Sequence, residues 1–209
     1  SESNDTSAGN SPFSAALDVA PAINPNSQHI LVHRAAGVTR AASVTMPSSS
    51  IFGGQGSIID LGADMNPITR ARAFQVVTLG ESGARLAGGS RASTHALFRN
   101  ALREANQFGE DGQIPGVASR PAEQSTGDDL PIDPRLADNQ TERGDDSLLT
   151  RFDAAALVPV VRGEQQLYVM VERASDILAT LALKRDFPRL DMVPVSYTHL
   201  RAHETVLDL

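Results

Sequence analysis

The chain contains no cysteine and no tryptophan, and aromatic residues make up only 4% of its 209 positions. Without Cys there can be no disulfide, no thiolate metal site and no Cys nucleophile, and the chain is compatible with either redox compartment. A basic excess is also missing: 18 Lys and Arg stand against 25 Asp and Glu, a formal net charge of -7. That balance argues against a nucleic-acid partner, which needs a basic face to displace phosphate counterions. No apolar run approaches the roughly eighteen residues of a membrane-spanning helix. What is present is 41% apolar residues, ordinary for a globular protein with a sizeable core.

The two ends read differently from the middle. Val195 to Thr205, VSYTHLRAHET, matches the translation of a transposase adaptor used in sequencing libraries. The frame agrees on both sides, since Pro194 accepts CCT upstream and Asp208 and Leu209 accept GAT and CTC downstream. Residues 195–209 are therefore expected to be a non-biological tail. At the other end Ser1 opens a polar run, SESNDTSAGNSPFS, with no initiator Met, so the chain is expected to be an internal fragment. Any export signal would lie before Ser1, and the compartment, cytoplasmic or periplasmic/secreted, is left open.

Between these ends the pattern is that of an α/β protein. Residues 1–21 form a polar lead-in. Asn24 to Ala36 has helical spacing behind possible caps Asn24 and Asn26, and Gly37 stops it. Thr39 to Met46 is a strand candidate, SSSIFGGQG a loop, and SIIDL a second strand. Asp64 to Arg72 reads as a turn region and Ala73 to Leu79 as a third strand. A helix over about Ser90 to Gln107 carries an apolar stripe of Leu97, Phe98, Ala101, Leu102 and Ala105, with Arg91, Arg99, Arg103 and Glu104 mostly outside it. Residues 108–146 lack apolar periodicity and form a loop or linker. Leu148 to Arg162 predicts a helix that bends or ends at Pro159, Gln166 to Val171 a buried strand, Arg173 to Arg185 a helix, and Asp191 to Val193 the next strand. That alternation is the sequence form of parallel β/α units.

Four blocks carry a family resemblance: INPNSQHILVHRAAGVTRAASVTMPS, IFGGQGSIIDLG, ARAFQVVTLGESGARLAGGSRASTHALFRNALREA, and LVPVVRGEQQLYVMVERASDILATLALKRDF. In order and spacing they resemble the imidazolonepropionase-like members of the amidohydrolase superfamily, over most of Ala22 to Val193. The resemblance implies a (β/α)₈ barrel of the TIM type, with residues 22–107 as its first part and 147–193 as a further β/α unit. It implies a divalent metal, zinc by preference, that activates water against a C–N bond of a small amide or peptide-like substrate. The family's His-x-His pair would lie upstream of Ser1 and the Asp of its last strand downstream of Val193, so the fragment itself is expected to be inactive. In relatives the strand equivalent to QLYVMV often ends in a His-bearing run; here Met170 and Glu172 occupy it. Met is a poor ligand for such an ion, whereas Glu172 could serve. Glu172 is thus the candidate metal ligand, and Met170, Arg173 and Asp176 the candidate pocket residues. Strand alternation puts Met170 and Glu172 on one side and Val171 on the other. The alternative for Glu172, Arg173 and Asp176 is a local salt bridge and helix cap. The alternative for the whole chain is a non-catalytic barrel that binds a ligand or partner after losing its metal, a reading that Met170 supports.

Other motifs read as ordinary structure. Gly83 to Ser90, GARLAGGS, nearly matches a phosphate loop, but Gly89 replaces the Lys, leaving a structural turn. GGQGS precedes a strand, the wrong order for a dinucleotide site. Ser90 lacks the closing Gly of a nucleophile elbow and reads as a helix cap. His29 and His33 share a helix face without an accompanying Glu, and they and His95 read as surface residues. His199 and His203 belong to the expected adaptor.

Overall fold

The computed structural model describes residues 6–62, 65–112 and 147–196. Its centre is one sheet of five strands in sequential order: β1 (Arg40–Ser43), β2 (Phe52–Asp60), β3 (Ile68–Thr78), β4 (Gln166–Met170) and β5 (Met192–Val195). β1 pairs with β2 and β2 with β3 antiparallel, whereas β3, β4 and β5 are parallel. The expected parallel β/α run is therefore found in the second half of the sheet, and an antiparallel meander precedes it. The helices are α1 (Gln28–Ala35), α2 (Glu81–Leu86), α3 (Arg91–Asp111), α4 (Arg151–Val161) and α5 (Ala174–Ala182).

Several expected boundaries move for identifiable reasons. Ser27, rather than Asn24 or Asn26, caps α1: its Oγ accepts the His29 N–H, while Asn24 Oδ1 turns back on the Asn26 N–H. The glycine-rich stretch expected to be a loop lies inside β2. Its glycines serve close approach, because a Cβ on Gly56 would overlap the Phe74 ring and one on Gly54, at φ +83°, would meet the Leu17 carbonyl. β3 begins at Ile68, so part of the expected turn region is strand, broken by a bulge at which Arg72 adopts φ 49°. Helix α4 continues two residues beyond Pro159 and stops at Gly163, φ 76°. β5 extends past Val193 through Pro194 to Val195, whose carbonyl accepts the Val171 N–H at 3.0 Å. Backbone pairing is indifferent to the side chain, so the strand reaches the first residue of the expected adaptor; residues 197–209 lie outside the described residues, as do 113–146.

The main core lies between the sheet and α3 and α4. Val77, Leu79, Leu167, Val169 and Val171 face Phe98, Ala101, Leu102, Ala105, Leu157 and Val160 across it. This is the stripe expected of α3, with one correction. Glu104 is 9% exposed, and its carboxylate accepts the backbone N–H groups of Leu148 at 2.9 Å and Leu149 at 3.0 Å. It thereby satisfies donors just ahead of α4 that would otherwise be stranded. The opposite sheet face carries a smaller cluster of Ala73, Phe74, Val76 and Met170, with Val44, Ile58 and Tyr168 packed against it.

Candidate functional site

Parallel pairing brings the carboxyl ends of β3, β4 and β5 to one edge. There Thr78, Met170 and Val195 lie side by side in register. On β4, Leu167, Val169 and Val171 belong to the helix-side core, whereas Tyr168 and Met170 belong to the opposite face. The alternation expected for Met170 and Val171 is thus observed. Thr78, 3% exposed, and Met170, 8% exposed, top this face above a stacked pair, Phe74 and Tyr168, whose centroids are 4.3 Å apart. Thr78 escaped the sequence reading, although the period-two series Phe74, Val76, Thr78 could have found it.

Glu172 follows β4 and reaches sideways. Its Oε2 accepts the Glu81 N–H at 2.8 Å, capping the first turn of α2, and its carboxylate lies close to Gly80. A Cβ on Gly80 would overlap the Glu172 carboxylate, which would have to move aside. The Met170 carbonyl accepts the N–H groups of Leu79 at 3.0 Å and Gly80 at 3.3 Å, so the turns leaving β3 and β4 are fastened together. Gly80 was legible only as one of several glycines before a helix.

Asp176 and Arg173 part company with this group. Arg173 is exposed at the N-cap of α5 and makes no side-chain capping bond. Asp176, 4% exposed, receives Arg91 Nε at 3.2 Å and ties the start of α5 to the start of α3. Asp176 thus forms a salt bridge, but with a residue 85 positions earlier in the chain rather than with the local partner expected. Ser90 caps α3 through the Ser93 N–H at 3.0 Å, and Gly83 to Leu86 of the near phosphate loop form part of α2. His29 and His33 are both exposed on α1.

His95 is half-buried rather than a surface residue. Burial pushes its pKa below the ordinary 6.5; the nearby Asp176 opposes this and Arg99 adds to it. A His with a depressed folded pKa takes up its proton more readily when unfolded, so its contribution to stability is present above about pH 6.5 and falls as pH drops below that value. Replacing His95 by Gln should flatten this limb in urea unfolding followed between pH 5 and 7. An unaltered slope would show that other groups produce it.

Chemically, the edge offers one carboxylate, one hydroxyl and one thioether above an aromatic floor. Among the described residues no three His, Asp or Glu side chains stand together as a metal-holding group, and no helix is long and apolar enough to cross a membrane.

The fold is similar to that of an amidohydrolase from Thermotoga maritima MSB8, with a TM-score of 0.64 and 20% sequence identity. The likeness covers 91% of this chain but 45% of that one, so the chain spans less than half the length of the protein it matches. No family model matches the chain, and no curated protein matches it.

Proposed function

We propose that the chain is a portion of an amidohydrolase-like (β/α)₈ hydrolase, of the imidazolonepropionase-like kind, acting on C–N bonds of small amides or cyclic amides. The observation that carries this reading is the parallel run β3–β4–β5, whose carboxyl ends gather Thr78, Met170 and Glu172 at one edge, in a chain with an amidohydrolase-like fold. In parallel α/β barrels that edge is where substrate meets the loops. The described residues do not by themselves fit a metal centre. Thr78 and Met170 are neutral, and Glu172 commits one oxygen to the Glu81 amide. A divalent ion such as zinc would therefore need its other ligands from elsewhere in the full-length protein.

The test uses the full-length protein encoded by the parent gene, assayed against dipeptides and cyclic amides with metal content measured in parallel. Hydrolysis together with bound metal is expected. In that protein Glu172→Gln keeps the shape and an acceptor oxygen for Glu81 while removing charge. Turnover or metal content should fall about tenfold or more with little change in melting temperature. If both stay unchanged, Glu172 is a structural cap alone. Neither hydrolysis nor bound metal in the unaltered protein would instead fit a barrel that binds a ligand without turning it over.

A further inference from the structure

A cavity of about 340 Å³ opens on the helix side of the sheet, away from the Thr78 and Met170 face. Ile51, Phe52, Leu86, Leu97 and Leu149 contribute its apolar floor, and Ser11, Ser14, Ser49 and Ser50 add polar groups to its lining. Phe13 lines the mouth and meets Phe152 edge to face at 5.3 Å; both rings are partly exposed. Asp153, 3% exposed, supplies the charge in the lining, and no Lys, Arg or His is among the described residues that line it. The Asp153 Oδ1 accepts the N–H groups of Ser14 at 2.9 Å and Ala16 at 2.8 Å, and Oδ2 accepts the Thr150 hydroxyl at 2.9 Å. An ionised carboxylate has about four acceptor sites, so one on Oδ2 is left for a further donor.

We infer that this cavity is a binding site for a small aromatic amine, seated with its ring on the Phe52 and Leu97 floor and its ammonium toward Asp153 Oδ2. The size supports a two-ring body, because an apolar cavity of about 150 Å³ already holds benzene. The sign of the charge decides the head group. A buried acid with no cation among the described residues of the lining attracts an ammonium and repels a carboxylate. The site lies outside the sheet wall and stands or falls independently of the hydrolase reading.

Calorimetric titration of the 209-residue chain with tryptamine, indole and indole-3-acetate tests it. Tryptamine should bind saturably, about tenfold tighter than indole, the difference expected for one hydrogen bond to a charged group, and indole-3-acetate should not bind. Asp153→Asn, which keeps an acceptor oxygen for the Ser14 and Ala16 amides, should erase the preference for tryptamine over indole. Leu97→Trp should fill the floor and abolish binding; Ser49→Trp, at an exposed position on the rim, should do so without disturbing the core. No saturable binding of tryptamine, equal binding of the anion, or unchanged binding in Ser49→Trp would each overturn the assignment. So would a concentration-dependent dimer abolished by Ser49→Trp, which would make a second copy the occupant.

Discussion

Phe98→Ala should lower the unfolding free energy of the chain by about 3–5 kcal/mol, the range seen when a fully enclosed aromatic is truncated. Phe98 is 0% exposed in the middle of the α3 stripe, and its ring lies 6.0 Å from that of Phe52 on β2. It is the largest fully buried side chain among the described residues, so its removal leaves a void bounded by sheet and helix together. The neighbours in that core are side chains from both the sheet and the helices, so partial relaxation leaves much of the void open, which places the cost toward the upper end. The denaturation midpoint in urea should fall with an unchanged slope. A loss under about 1 kcal/mol would mean that the helix layer is not packed as described.

Asp153→Ala should cost about 3 kcal/mol for a different reason. Asp153 holds the lead-in segment against α4 through the Ser14 and Ala16 amides, and its carboxylate also accepts the Thr150 hydroxyl. Each hydrogen bond to a charged group contributes about 1.5–3 kcal/mol, and stranded buried donors add a desolvation penalty. The lead-in can swing out and recover water, which keeps the total below the sum of three bonds. Hydrogen exchange separates this from a packing defect: the Ser14 and Ala16 amides should lose protection first, while those of β3 and β4 keep theirs. Uniform loss across the sheet would contradict the local role.

The legible parts of the fold were those whose signal is local. The five stripe residues of α3 recur at helical spacing, and the apolar run of β4 alternates toward its two faces, so both elements and the side on which Met170 lies follow from short windows of sequence. Glu104 was misplaced because its partners, the Leu148 and Leu149 amides, are 44 and 45 positions away, and no window around α3 contains them. The β2 glycines failed for the same reason. Their need for no side chain comes from Phe74 and Leu17, which reach them only after folding, so GGQG carried the composition of a loop and the geometry of a strand. At the candidate site, strand alternation found Met170, but the sideways reach of Glu172 to α2 depends on how two successive β/α turns meet. Asp176 was visible as an acidic residue in the first turn of a helix; that it pairs with Arg91, 85 positions earlier, was not.

A crystal structure of the longer protein proposed above is the most direct test of the barrel reading. β5 should pair on its far edge with a further parallel strand, continuing the parallel run of β3, β4 and β5 toward a barrel. Thr78, Met170 and Glu172 should lie at the carboxyl mouth, facing the remaining ligands. A β5 that ends the sheet, or a Thr78–Met170 row that faces bulk solvent on the outside of a differently closed domain, would contradict it.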